Sequence, residues 1–137
     1  MRPFHLAFPV TDLEQAIEFY STVLGCETGR RKPESCVLNL FGHQIVAHFS
    51  PDECIGTNLN RVDGDMVPSR HFGVILPWEQ WKGLCKKMKK QKTPFMIEPK
   101  IRFKNLRGEQ GTFFIQDPSR NVLEFKSFKN DSMVFEK

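Results

Sequence analysis

Cysteine is scarce in this sequence, and long apolar runs are absent from it. Four of the 137 residues are cysteines, and no two of them form a Cys-x-x-Cys pair. A small secreted disulfide scaffold has a higher cysteine density, so we expect free thiols in a reducing compartment. No apolar run approaches the ~18 residues of a membrane span, and no secretory signal precedes the first predicted strand. These absences favour a soluble cytoplasmic protein without a membrane partner.

The excess of positive charge is also small. Twenty lysine and arginine residues against 16 aspartate and glutamate residues give a net charge of +4, which does not by itself indicate a nucleic-acid partner. The lysine-rich segment from Lys82 to Lys90 has no aromatic residues between its charges that bases could stack on. We therefore expect no nucleic-acid interface. A chain of this length buries roughly two-thirds of its unfolded surface, so it needs no metal merely to fold.

The first half of the chain has the pattern of a strand, a helix and three further strands. Residues 3–10 form an apolar run that contains His5 and stops at a Thr-Asp pair. Thr11 and Glu14 have the spacing of a capping box, which predicts a helix start with Thr11 as its cap. Apolar residues at helical spacing continue to Gly25. Three strands are predicted after the helix, at 26–32, 35–41 and 44–49.

The second half repeats this order after a polar stretch. Residues 50–69 are rich in proline, glycine, asparagine and aspartate, and we expect there a linker, or a loop over a site, without secondary structure of its own. An apolar run from Arg70 to Leu76 then contains His71, and a helix follows from Trp78. Strands are predicted at 94–103, 112–116 and 122–128.

The chain is therefore an internal repeat of about 65 residues, in which each copy is a strand, a helix and three strands. We expect one domain composed of a first module at about 1–50, a linker at about 51–69, a second module at about 70–129 and a C-terminal tail at 130–137.

One carboxylate interrupts the last predicted strand. Two apolar runs flank the turn at 117–121, which is typical of a β-hairpin, and Glu124 lies in the second run. On the hairpin alone, a solvated position on an outer strand face is the simpler interpretation. When the two copies are aligned, Glu124 corresponds to Ala47 in the first copy.

Two histidines occupy matching positions in the two copies. If the modules pack edge to edge, their first strands lie side by side, so that His5 faces His71 and Glu124 arrives from the closing strand. Two imidazoles and one carboxylate with open positions form the facial triad that suits Fe(II) or Mn(II). We therefore predict a metal site at His5, His71 and Glu124, although a single histidine is more often a core or surface residue. His43 and His48 have no partner at ligand spacing.

These features together resemble the vicinal oxygen chelate superfamily, which includes glyoxalase I, bleomycin- and fosfomycin-resistance proteins and extradiol ring-cleavage dioxygenases. The resemblance covers roughly Pro3 to Lys129. The matching motifs are the histidine on each first strand, Phe19-Tyr20, Leu24-Gly25 and Asp117-Pro118-x-x-Asn121-x-x-Glu124. The resemblance implies an α+β fold in which two paired βαβββ modules form a curved mixed sheet around a divalent metal.

The resemblance also implies an activity. Glyoxalase-like members carry a fourth ligand on the closing strand of the first module, where the alignment places Ala47, and a three-ligand site is the pattern of extradiol dioxygenases. The implied enzyme is an oxidoreductase that cleaves the ring of a catechol-like substrate, or acts on another small molecule with two adjacent oxygens, together with O₂. Lys126 and Arg102 are candidate contacts for an anionic substrate tail, although ordinary solvated charge explains them as well. No acid–base residue is assigned.

Two other functions remain open on this fold. A lyase or isomerase of glyoxalase type would use Zn(II) or Ni(II), with water in the fourth position. A binding protein that sequesters an aromatic or antibiotic ligand would not need the three predicted ligands together. The oligomeric state is open too, because such folds form their cup within one chain or between the swapped chains of a homodimer.

Overall fold

The computed structural model describes residues 1–54, 59–62 and 64–137, with side chains described outside 55–63. It divides into two compact units, one formed by residues 1–58 with 117–121 and the other by residues 59–116 with 122–137. Within the described ranges, every helix is too short or too polar to cross a membrane.

The first unit contains one helix and four strands. In chain order they are β1 (His5–Val10), α1 (Leu13–Glu18) continued by a π-helical turn (Phe19–Val23), β2 (Glu27–Lys32), β3 (Ser35–Leu40) and β4 (His43–Phe49), followed by a 3-10 turn (Pro51–Glu53). The sheet has the order β1-β4-β3-β2, in which β1 and β4 are parallel and the other pairs antiparallel.

The second unit repeats this arrangement after an added hairpin. Its elements are β5 (Leu59–Val62), β6 (Asp65–Pro68), β7 (Phe72–Ile75), α2 (Trp78–Lys90), β8 (Ile97–Arg102), β9 (Gln110–Gln116) and β10 (Val122–Phe128), with a 3-10 turn (Asp131–Met133) in the C-terminal segment. The larger sheet has the order β7-β10-β9-β8, with β7 parallel to β10. The predicted α+β class and the two βαβββ modules are confirmed.

The core of each unit lies between its helix and one face of its sheet. In the first unit, Val10, Leu38 and Ala47 have no exposed surface, and Tyr20 from the helical segment packs among the buried side chains. In the second unit, Trp81 of α2 lies against Phe113, with ring centroids 6.3 Å apart. Burial of each large apolar side chain contributes about 2 kcal/mol to the free energy of folding. Glu124 lies on the opposite face of the second sheet, together with Thr112 and Lys126.

The prediction that residues 50–69 lack secondary structure is wrong at 51–53, 59–62 and 65–68, while residues 55–58 and 63 lie outside the described part of the chain. Strands β5 and β6 pair as an antiparallel hairpin. The sequence Asp63-Gly64 is a strong two-residue hairpin signal, and Gly64 has the positive φ of 86° that such turns require. Val67 of β6 is buried against Phe114 and Val122. The hairpin therefore covers part of the second sheet on the face that carries Glu124.

The predicted capping residue of α1 is also wrong. Asp12, and not Thr11, caps the helix, because its Oδ1 accepts a hydrogen bond of 2.9 Å from the backbone N–H of Gln15. The helix begins one residue later than expected, at Leu13. Thr11 is engaged instead with Ser119, whose Oγ lies 3.1 Å from the Thr11 hydroxyl.

Candidate metal site

His71 and Glu124 meet on the polar face of the second sheet. The His71 Nε2 lies 3.2 Å from the Glu124 Oε2, with 26% and 15% of the two side chains exposed. Glu124 is in the middle of β10, opposite Gly73 of the parallel strand β7. A Cβ at position 73 would lie 1.6 Å from the backbone oxygen of Glu124. Glycine therefore permits the close strand pairing that brings the two side chains together.

The protonation of His71 follows from its second contact. The His71 Nδ1 lies 2.7 Å from the backbone oxygen of Pro68, which ends the β5–β6 hairpin. A carbonyl oxygen only accepts hydrogen bonds, so Nδ1 carries a proton and donates it. In the neutral ring, the lone pair of Nε2 then faces a carboxylate oxygen. The Nε2 and the carboxylate oxygen are then both acceptors, and this distance requires a cation or a second proton near them. An imidazole and a carboxylate together are ligands that suit divalent Fe, Mn, Zn or Ni.

The other oxygen of Glu124 is engaged by the protein. Thr112 Oγ1 donates a hydrogen bond of 2.7 Å to the Glu124 Oε1, and the Lys126 Nζ lies 3.8 Å from the same oxygen. Thr112 is 1% exposed, so its hydroxyl is shielded from competing water. The carboxylate is thus held with Oε2 directed toward His71.

Thr112 was not found from the sequence. Its signal was the register across the β9–β10 hairpin, where Thr112 pairs with Lys126 and therefore shares the sheet face of Glu124. Lys126 does lie on that face, as strand alternation predicted. No feature of a lone threonine in an apolar strand distinguishes it without this pairing.

His5 lies in the first unit, at the start of β1. It is exposed, and its Nδ1 lies 2.7 Å from the Gln44 Oε1. Because an amide oxygen only accepts, Nδ1 again carries the proton and leaves a lone pair on Nε2. In the described part of the chain, no three His, Cys, Asp or Glu side chains form a group that could hold a metal ion. The structure therefore brings together His71 and Glu124, and the participation of His5 stays a prediction.

The position that corresponds to Glu124 in the first copy is Val46, and the alignment to Ala47 is wrong by one residue. In each copy, the residue two positions after the histidine lies on the first strand and pairs with a residue of the closing strand. Ala7 is opposite Val46 in the first copy, and Gly73 is opposite Glu124 in the second. Ala47 pairs with Phe8 and is fully buried on the helix side of the sheet. A one-residue shift moves a side chain to the other face of a strand. Neither residue can bind a metal, so the first copy still offers no carboxylate at this place.

The cations predicted to contact substrate have different surroundings. Besides its approach to Glu124, the Lys126 Nζ lies 5.9 Å from the centroid of the Phe128 ring. Arg102 ends β8 opposite Gln110 and is half-buried. Lys100, on the same strand, forms an ion pair with Asp65 of the hairpin. A role for Lys126 and Arg102 in substrate binding stays a prediction.

The cysteines lie outside this chemistry. All four are free, as expected from their spacing. Burial raises the pKa of the Cys85 thiol to about 11, which outweighs the opposing effect of Lys89. Cys85 is therefore a protonated core residue at neutral pH and not a nucleophile or metal ligand.

Comparisons with known proteins give the family. Residues 2–125 match the model of the Glyoxalase/Bleomycin resistance protein/Dioxygenase superfamily. A glyoxalase/bleomycin resistance protein/dioxygenase from Alicyclobacillus acidocaldarius is 40% identical, with 97% of this chain and 96% of that chain covered and a TM-score of 0.78.

Two more distant structures share the fold alone. The fosfomycin resistance protein FosX from Listeria monocytogenes is 12% identical, with 95% of each chain covered and a TM-score of 0.68. Lactoylglutathione lyase from Agrobacterium tumefaciens is 15% identical, with 90% of this chain and 91% of that chain covered and a TM-score of 0.62. No curated protein sequence matches significantly. The paired βαβββ modules and the family match together show that this chain belongs to the Glyoxalase/Bleomycin resistance protein/Dioxygenase superfamily.

Proposed function

We propose that this protein is a metal-dependent enzyme acting on a small molecule with two adjacent oxygens, and that its reaction is the oxygen-dependent ring cleavage of a catechol-like substrate. The observation that carries the proposal is the contact of His71 with Glu124. The His71 Nε2 and the Glu124 Oε2 lie 3.2 Å apart, while the His71 Nδ1 donates a hydrogen bond to the backbone oxygen of Pro68. This arrangement presents two ligand atoms to a divalent cation.

The proposed ligands are His71, Glu124 and, as the third, His5. His5 is included because it holds the matching position in the first copy and because its Nδ1, like that of His71, has a hydrogen-bond partner, the Gln44 Oε1. Fe(II) is the metal we favour, with Mn(II) as the alternative. When bound, the metal would polarise the two adjacent oxygens of the substrate and provide a site for O₂.

The absence of a carboxylate at Val46 supports the dioxygenase reaction over a lyase reaction. Three protein ligands would leave room on a bound metal for both substrate oxygens and O₂. A fourth protein ligand would take up part of that room. The chain's own contribution is then to hold the ligand atoms at fixed positions, with Lys126 and Arg102 proposed to attract an anionic group on the substrate.

The activity is tested with protein purified without oxygen and loaded with Fe(II). We expect oxygen uptake with at least one member of a panel of catechols, and a fall in kcat/KM of more than about 100-fold in Glu124→Gln, since a neutral amide is a poor ligand. His43→Gln is the matched control, because His43 lies in the β3–β4 hairpin, where its Nδ1 accepts a hydrogen bond of 3.0 Å from the Phe4 amide. This variant should keep the wild-type rate.

Other outcomes identify the competing functions. If the wild type consumes no oxygen with any catechol but converts a hemithioacetal under Zn(II) or Ni(II), the dioxygenase reaction is wrong and a glyoxalase-type lyase replaces it. If it binds an aromatic ligand without turnover under any of these metals, the protein is a ligand-sequestering member of the family.

A further inference from the structure

We infer that Thr112 is a positioning residue that commits one oxygen of Glu124 to the protein and leaves the other for the metal. The inference rests on the metal site proposed above. Thr112 touches neither His71 nor any reacting atom among its described contacts, and it acts through Glu124 alone.

Thr112 engages the Oε1 of Glu124 with a short hydrogen bond. A threonine hydroxyl has one proton to donate, and that of Thr112 is directed at Oε1 over 2.7 Å. The hydroxyl is almost fully buried, so water does not replace the carboxylate as its partner. A hydrogen bond to an ionised acceptor in such surroundings contributes more than one between neutral groups.

Lys126 would compete with Thr112 for the same oxygen of Glu124. Its Nζ lies 3.8 Å from Oε1, which is close enough for attraction but beyond hydrogen-bond distance. If the Thr112 hydroxyl were absent, the carboxylate would be free to turn toward the ammonium group. The lone pairs of Oε2 would then no longer be directed toward the His71 Nε2, and a cation would lose a preoriented ligand.

Ser127 offers a comparison within the same sheet. It is also completely buried in β10, and no described residue forms a hydrogen bond with its Oγ. Thr112 instead directs its hydroxyl at the Oε1 of Glu124, and we assign this contact to the orientation of the ligand.

The test is a titration of metal-free protein with Mn(II), which is stable in air and reports binding independently of turnover. Thr112→Val keeps the shape of the side chain and removes the donor, and we expect a Kd that is 10–100-fold higher, roughly the effect of losing a contact that orients a ligand. Thr112→Ser keeps the donor and should remain within about threefold of wild type. If the valine variant does not fold, Thr112→Ala provides the same loss of the donor.

Ser127→Ala is the matched control, since it removes a buried hydroxyl from the same sheet without touching Glu124, and its Kd should equal that of wild type. Thermal unfolding of each metal-free variant shows whether stability has changed. An unchanged Kd in Thr112→Val, or an equal loss in Thr112→Ser, would overturn the inference and leave the metal site intact. Failure of the wild type itself to bind Mn(II) or Fe(II) would contradict the proposed site and the role of Thr112 with it.

Discussion

At the scale of single residues, the turn that precedes β10 is organised by one buried carboxylate. Asp117 Oδ1 accepts hydrogen bonds from the backbone amides of Ser119 and Asn121, and Oδ2 accepts from the Tyr20 hydroxyl and the Asn121 side chain. Burial raises the pKa of Asp117, although these four donors oppose the shift. Burial, with the nearby Asp117, also raises the pKa of Tyr20 well above its usual value, so Tyr20 remains a donor.

Replacement of Tyr20 by phenylalanine should destabilise the protein by about 1.5–3 kcal/mol at pH 8, the contribution of a hydrogen bond to a charged group. The Tyr20 hydroxyl stabilises the ionised carboxylate of Asp117. Removal of this hydroxyl therefore raises the folded-state pKa of Asp117 further. Because the folded-state pKa of Asp117 is raised, its ionisation opposes folding, and stability is lost as the pH rises through that pKa. The Tyr20 hydrogen bond reduces this loss, so the difference in stability between the two proteins should be larger at the higher pH. Urea unfolding of both proteins at pH 8 and pH 5 checks this. A pH-independent difference below about 0.5 kcal/mol would show that the contact is unimportant.

Some residues of the candidate site could be recognised from the sequence one at a time, and others could not. A carboxylate in one apolar strand and a histidine in an apolar run drew attention to Glu124 and His71, whose side chains are in contact in the structure. Thr112 and Val46 were missed because their roles depend on strand register, which the composition of one strand does not determine. In the turn before β10, Arg120 adopts a positive φ of 67°.

At the scale of secondary-structure elements, α2 docks on its sheet through Trp81. The Trp81 Nε1 donates a hydrogen bond of 2.9 Å to the Phe125 backbone oxygen. Its ring lies over Gly111 of β9, where a Cβ would come within 2.6 Å of the indole. The absence of a side chain at position 111 therefore sets the distance between helix and sheet.

Gly111→Ala should consequently destabilise the protein by about 1–3 kcal/mol, because the added methyl group forces Trp81 away from its place. Gly83→Ala is the matched control within α2, since a Cβ there meets no atom within 4 Å. It should stabilise the protein by up to about 1 kcal/mol through higher helix propensity. Chemical unfolding measures both. Equal effects of the two substitutions would show that Trp81 does not depend on Gly111.

Most helices and strands could be predicted from periodicity and turn residues, whereas the β5–β6 hairpin was missed. Its strands have four residues each, and strands this short give little alternation to detect. The Asp63-Gly64 signal was available but was assigned to a loop because the surrounding residues are polar. The hairpin has a consequence for the site, because Pro68 at its end supplies the acceptor for His71.

At the scale of the whole molecule, the metal site proposed above has His5 as its third ligand. His5→Ala should lower metal affinity steeply, by more than about 100-fold, because an inner ligand is lost rather than a residue that orients one. Titration with Mn(II) measures the effect, and His43→Gln should bind as wild type does. Unchanged affinity in His5→Ala would remove His5 from the proposed ligand set while leaving His71 and Glu124 in it.

The metal content of protein that has been loaded anaerobically with Fe(II) and then freed of excess metal tests whether His71 and Glu124 hold a divalent metal. We expect about one equivalent per chain in the wild type and in His43→Gln, and little metal in His71→Ala and Glu124→Gln, since each loses a protein ligand. Full metal content in His71→Ala, with the fold intact, would contradict the proposed site.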